Sequence, residues 1–242
     1  MCTVTFIPGK DHSFLTSNRD EKAARPKAVA PEIYADYNAT LLYPKDAAAN
    51  GTWVAINQTG NAAVLLNGGF IKHEPKPPYR KSRGLVFLDI ISSADPKDGF
   101  IEMNLYKIEP FTVVLLQDDQ LFECRWDGTK KYYQQLDEKQ PHIWSSATLY
   151  PDEVINKRKQ WFSQWLADHP SPSQKDIFSF HQFAGDGDAQ NDVLMNRDGQ
   201  MLTVSITGVE ISRYKAAMQY WDLQDGKCVV KELNFETLPV IS

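Results

Sequence analysis

The chain opens Met1-Cys2-Thr3-Val4-Thr5-Phe6-Ile7-Pro8-Gly9-Lys10-Asp11-His12-Ser13-Phe14-Leu15-Thr16-Ser17-Asn18-Arg19-Asp20-Glu21. Thr3 to Ile7 alternates polar and apolar residues, the period of a half-buried strand. Pro8-Gly9-Lys10-Asp11 is turn chemistry. His12 to Ser17 then returns as a second strand, which predicts a hairpin. A hairpin brings its far end back beside its start, so Asn18, Arg19 and Asp20 are expected next to Cys2. If Met1 is trimmed, Cys2 carries a thiol and a free α-amine on one residue. An α-amine titrates near about 7.7–8, so it can take the thiol's proton without a second side chain, the logic of an N-terminal nucleophile. A guanidinium close by favours the thiolate, and a carboxylate can hold and orient the ammonium. Arg and Asp are also poor choices for an apolar sheet interior unless they are paired.

Thr52–Ile56 and Ala62–Leu66 read as strands joined by the turn Asn57-Gln58-Thr59-Gly60-Asn61. Lys22 to Ala49 has little periodicity and reads as a long loop with one short extended piece. Helical spacing of apolar residues recurs over Ser82–Ser93 and again over Asp98–Ile108. Phe111–Gln117 and Leu121–Trp126 are strands around Asp118-Asp119, and Tyr132-Tyr133 starts another. Pro151–Asp168 is a helix with acids in its first turn, with Val154, Trp161 and Trp165 on one side. Gln174–Phe183 is a further helix. Leu202–Ile206, Ser212–Asp222 and Lys227–Leu233 close the chain as strands. Strands, then helices, then strands again predict a layered α+β fold, in one domain over residues 1–242.

The chain has 242 residues, 42% hydrophobic and 24% charged, with net charge −5. Its cations are scattered, so no nucleic-acid partner is expected. No apolar run is long enough to span a membrane, and no signal peptide is read at the start. Three widely spaced cysteines give neither a disulfide framework nor a ligand spacing. They suit a reducing compartment, and the cytoplasm is the expected location. Cys124 and Cys228 lie in apolar strand patterns and read as small buried hydrophobes. His142 and His181 read as buried and hydrogen-bonded. Gly185-Asp186-Gly187-Asp188 lacks the regular ligands of a calcium loop. No cofactor or metal is expected.

Met1-Cys2, the tetrapeptide Asn18-Arg19-Asp20-Glu21 and the segment Gly51–Gly68 resemble the NRDE family, also called the transport-and-Golgi-organisation family. Ser82-Arg83-Gly84, Trp126-Asp127-Gly128, Ser145–Tyr150, Thr203–Thr207 and Gln219–Leu223 extend the resemblance over nearly the whole chain. That family is related to the N-terminal nucleophile hydrolases of the choloylglycine hydrolase and penicillin V acylase type. The resemblance implies their four-layer αββα sandwich. It also implies an amidohydrolase that cleaves a non-peptide C–N bond through a Cys2 thioester, with a small-molecule amide or amphipathic ligand as its partner.

By resemblance, Cys2, Arg19, Asp20, Asn67 and Arg213 are the catalytic set, with Arg213 near the nucleophile. Asn18 and Ser146 are the expected substrate contacts. Asn67 ends an apolar strand and is either the oxyanion donor or a turn residue before Gly68. Ser146 stands where the related hydrolases have a second Asn, a departure that leaves a shorter donor. The pocket loops are expected in Lys22–Ala49 and Gly68–Arg83. The family's other implication is a non-enzymatic haem- or lipid-handling or secretory-organisation protein that keeps the hydrolase fold.

Overall fold

A computed structural model describes residues 3–35 and 39–236. The first expected hairpin forms as β1 (Thr3–Pro8) and β2 (His12–Lys22). It is antiparallel, with Thr3 opposite Asn18 and Pro8 opposite Ser13. There follow β3 (Val29–Tyr34), β4 (Leu41–Lys45), β5 (Val54–Asn57), β6 (Ala62–Asn67), α1 (Arg83–Ile91) and α2 (Pro96–Glu102). Next come β7 (Phe111–Gln117), β8 (Gln120–Trp126), β9 (Lys131–Leu136), β10 (His142–Ser145), α3 (Asp152–Asp168) and α4 (Gln174–Phe183). The last strands are β11 (Asn196–Arg197), β12 (Met201–Ser212), β13 (Lys215–Asp222) and β14 (Cys228–Asn234).

Among the described residues these make two seven-stranded sheets. One runs β10-β1-β2-β12-β13-β14, with β11 on β12; the other runs β3 to β9 in chain order. Alternation decides what each face buries. Val4, Phe6, Leu15, Val209 and Tyr220 of the first sheet meet Leu42, Val54, Val64 and Val114 of the second in an inter-sheet core. The second sheet's outer face (Ala63, Leu65, Val113, Leu115, Cys124) packs on Phe87, Leu88, Ile91 and Phe100 of α1 and α2. The first sheet's outer face offers Ile7 and Phe14 to Phe162, Ile177 and Phe180 of α3 and α4. The result is the four-layer αββα sandwich. Each fully buried aliphatic or aromatic side chain contributes roughly 1.5–3 kcal/mol.

Several elements depart from the sequence expectation. Residues 22–49, expected as a long loop with one short extended piece, hold two strands, β3 and β4. Their prolines hide them: Pro31 falls where the β3–β4 register shifts, on an edge strand where a missing N–H is tolerated. Pro44 follows the two residues through which β4 pairs with β5. The helix expected over Asp98–Ile108 is α2, which starts earlier because Asp95 caps it and Pro96 opens it, and which ends at Glu102. On α3 the buried stripe is Val154, Arg158, Phe162, while Trp161 and Trp165 are only half-buried. Cys124 is buried, and burial pushes its thiol up to about 12, with the neighbouring Glu123 charge adding to it. Cys228 is exposed near the start of the edge strand β14, contrary to expectation. Among the described residues no helix is long and apolar enough to cross a membrane.

Candidate active site

Cys2 lies outside the described residues. Thr3, the next residue, is fully buried and sits in the middle of three strands, opposite Asn18 on β2 and Ser145 on β10. The strand directions put Arg19 and Asp20 one and two steps further along β2, towards the N-terminus of β1. Ser146 follows Ser145 directly and its hydroxyl donates to the main-chain carbonyl of Asn67, 2.9 Å away, at the end of β6 in the other sheet. Arg19, Asp20, Ser146 and Asn67 thus collect at one end of the sandwich, around Thr3.

Asp20 is buried and accepts from Tyr150 Oη (2.6 Å) and Thr203 Oγ1 (2.6 Å). Both bonds fix the carboxylate from the helix side of the sheet. Arg19 points the other way, between the sheets. Its guanidinium lies 4.4 Å over the Trp53 ring and donates to Asp46 Oδ2 (2.5 Å). Burial works against the Asp46 charge. Hydrogen bonds from Arg25 and the Ala49 N–H, with the charges of Arg19 and Arg25, outweigh it and hold this carboxyl below the usual range. Arg19 is therefore already partnered by a carboxylate.

Asn18 is a clamp and not the expected substrate contact. It is fully buried, and both its amide protons go to main-chain carbonyls, those of Val193 (2.7 Å) and His181 (3.1 Å). Its Oδ1 meets His181 Nδ1 at 2.7 Å. That oxygen can only accept, so Nδ1 carries the proton and Nε2 accepts from Thr5 Oγ1 (2.8 Å). Burial, with the Arg158 charge, pushes the fully buried His181 down to about 3, so the ring is neutral. Ser146 departs from its expected role for a similar reason. Its single proton is used on the Asn67 carbonyl, so Thr148 Oγ1 must donate to it across the 2.9 Å between them. Ser146 holds Asn67 instead of offering a second oxyanion donor.

Arg213 is not part of this cluster. It lies exposed in the β12–β13 turn, where Ser212 pairs with His12. That is the opposite end of β2 from Asp20, which pairs with Thr203. There it lines a polar cleft of about 720 Å³ with Lys10, Asp11 and Asp119.

A different arginine stands beside Thr3. Arg158 of α3 is fully buried. It donates to Thr3 Oγ1 (2.5 Å) and to the carbonyls of Asn191 (3.0 Å) and Asp192 (2.6 Å), with the Tyr150 ring 3.7 Å from its guanidinium carbon. These hydrogen-bond acceptors are all neutral. The same tyrosine donates to Asp20, so one aromatic ring links the buried cation to the buried acid. A charged residue in the middle of an apolar helical stripe was the available signal.

Beside Ser146 opens a groove of about 440 Å³, lined by Phe70, Ile71, Thr148, Leu149, Tyr150 and Ile155. Phe70 and Ile71 are exposed there. They belong to the Gly68–Arg83 segment expected to form a pocket. Among the described residues no three His, Cys, Asp or Glu side chains group as metal ligands.

The fold matches solved hydrolases. A variant of conjugated bile acid hydrolase from Clostridium perfringens superposes with a TM-score of 0.61 at 10% identity, covering 100% of this chain and 98% of that one. A second variant of the same enzyme gives 0.57 at 8% identity, with 100% of both chains covered. The Caenorhabditis elegans orthologue of N-acylethanolamine-hydrolyzing acid amidase gives 0.57 at 10% identity, covering 86% and 92%. At such identities the likeness shows the fold, that of the N-terminal nucleophile hydrolases. No curated protein matches the chain by sequence. The family model for Transport and Golgi organisation 2 matches residues 1–214, and the chain belongs to that family.

Proposed function

We propose that this protein is an amidohydrolase that uses Cys2 as an N-terminal nucleophile on a non-peptide C–N amide bond. The observation that carries the reading is the gathering of Asp20, Arg19, Ser146 and Asn67 at the end of the sandwich where β1 begins. The fold it shares with a bile acid hydrolase and an N-acylethanolamine-hydrolyzing amidase supports it.

In this reading removal of Met1 frees the Cys2 amine. The amine takes the thiol proton as sulfur attacks the substrate carbonyl. Asn67 Nδ2 donates to the oxyanion, a contribution of about 3 kcal/mol where such a donor acts. Collapse breaks the C–N bond, and the ammonium returns its proton to the leaving amine. Water then attacks the thioester, releases the acid and restores the thiol. Asp20, held by Tyr150 and Thr203, orients the amine. The buried Arg158 charge, one residue away at Thr3, favours the thiolate over the thiol and the neutral amine over the ammonium. The groove along Phe70, Ile71 and Ile155 takes the apolar part of an amphipathic substrate. A reducing compartment, the cytosol, keeps the thiol and the exposed Cys228 free.

The test is amine release from a panel of N-acyl amides by the full chain and by Cys2→Ala. Turnover that disappears in Cys2→Ala, with the melting temperature unchanged, supports the reading. Equal turnover in both proteins ends it.

A further inference from the structure

Strand β8 carries a buried acid that the scheme above does not use. Glu123 faces the inter-sheet space and is 7% exposed. It accepts from Trp144 Nε1 (2.7 Å), from Arg125 Nε and Nη2 (both 2.8 Å) and from Gln134 Nε2 (2.9 Å). Burial works against its charge. The hydrogen bonds and charge of Arg125, with those of Trp144 and Gln134, outweigh it and hold the carboxyl below its usual range. Arg125 reaches further: Nη1 donates to the Gly69 carbonyl (2.5 Å), and the guanidinium lies 4.9 Å over the Phe70 ring.

These contacts close a ring around Asn67. The Asn67 carbonyl accepts from Ser146, which stands two residues after Trp144. Trp144 donates to Glu123, Glu123 holds Arg125, and Arg125 holds Gly69, two residues after Asn67. The ring crosses between the sheets at two places, Ser146–Asn67 and Trp144–Glu123. Thr112 of β7 holds the carbonyl between, donating to Gly68 at 2.8 Å. Three consecutive carbonyls are thus each held by a side chain from a different segment. Gly68 takes φ +86°, and a Cβ there would come within 2.8 Å of Thr148 Cγ2, so the chain turns tightly against the Ser146 segment.

We propose that Glu123 and Arg125 are positioning residues that fix the Asn67 amide where an oxyanion develops. They touch no substrate and act through the backbone of residues 67–69. The inference rests on the hydrolase reading and deepens it. A pair that only stapled the sheets together would alter stability without selecting among reactions at Cys2.

Two reactions of the thiol separate the roles. Acylation by p-nitrophenyl acetate moves the acetyl group to Sγ through a tetrahedral oxyanion and expels p-nitrophenolate, the thiol proton passing to the α-amine. Alkylation by iodoacetamide displaces iodide with no oxyanion. Both are followed in the full chain carrying Cys228→Ser, which removes the exposed thiol. Arg125→Met is expected to slow acylation about tenfold, since small misplacements of catalytic groups cost up to about a hundredfold. Its alkylation at Cys2 stays within about twofold. Asn67→Ala slows acylation about a hundredfold, and Asn67→Ala/Arg125→Met is no slower than Asn67→Ala, the signature of two residues acting through one group.

Wild-type acylation rates in Arg125→Met overturn the proposal. So do equal losses in both reactions, or losses that multiply in the double variant. Trp144→Phe removes only one bond from Glu123, and carries the same comparison with a smaller effect if Arg125→Met fails to fold. A parent protein whose Cys2 reacts with neither reagent overturns the hydrolase reading itself. A reactive parent with an undisturbed Arg125→Met overturns the positioning role alone.

Discussion

Ser146 Oγ lies 2.9 Å from the main-chain oxygen of Asn67 and gives it its only proton. This one bond joins the segment after β10 in one sheet to the end of β6 in the other. It turns an expected substrate contact into the support of another residue. Removing it leaves a part-buried carbonyl short of a donor, which costs about 1 kcal/mol. Ser146→Ala is therefore expected to lower the unfolding free energy by about that much, measured by urea denaturation. Ser146→Ala with unchanged stability would show that water replaces the hydroxyl there.

Arg158 is a larger commitment. Its guanidinium serves Thr3 Oγ1 and the carbonyls of Asn191 and Asp192 from a fully buried position. Arg158→Ala leaves those acceptors unpaired and opens a cavity, so the expected loss is about 3 kcal/mol or more. Arg158→Lys keeps the charge, but its ammonium cannot reproduce the planar fork. It is expected to fall between the two. Thermal and urea melts of both variants check the order.

His181 ties stability to pH. Its folded pKa lies at about 3 against an ordinary value of 6.5, with burial as the main cause. The unfolded chain therefore binds a proton between those values that the folded chain refuses. Stability falls as pH drops through this window, by about 1.4 kcal/mol per pH unit. Below the ordinary carboxyl values of 4.5 for Glu123 and 3.8 for Asp46, these two depressed groups steepen the loss, because the folded state holds them ionised. His181→Gln removes the titrating ring, and the slope between pH 6 and 5 is expected to flatten. An unchanged slope in His181→Gln would assign it to other groups.

Parts of this architecture were legible in the sequence, for physical reasons that differ by element. The β1–β2 hairpin shows because a turn sequence sits between two alternating runs. The apolar run of β7 shows because Asp118-Asp119 ends it, both residues taking the left-handed conformation. The β3 and β4 strands do not show, because Pro31 and Pro44 interrupt their pattern. Arg19 and Asp20 lie at the far end of β2 beside the start of β1, as the hairpin spacing implied, and Asn67 at the end of β6 lies at the same end of the sandwich. Arg213 does not, because the β12–β13 hairpin carries it away along the length of β2. Counting apolar positions skips Arg158, a cation in the buried stripe of α3, and favours the half-buried Trp161 and Trp165, although its place in that stripe marks it. The Glu123–Arg125 pair lies in an alternating strand, and nothing local distinguishes it from a solvated one.

A processed, activated Cys2 has its controls within the same chain. Cys228 is an exposed thiol, and Cys124 is buried with its thiol pushed up to about 12. The direct measurement is the intact mass of the purified protein, followed by timed iodoacetamide labelling at neutral pH with the sites mapped by peptide mass. Loss of Met1 and labelling of Cys2 well ahead of Cys228, with Cys124 silent, is the expected result. Retention of Met1 with Cys2 labelled no faster than Cys228 would rule out an N-terminal nucleophile at Cys2.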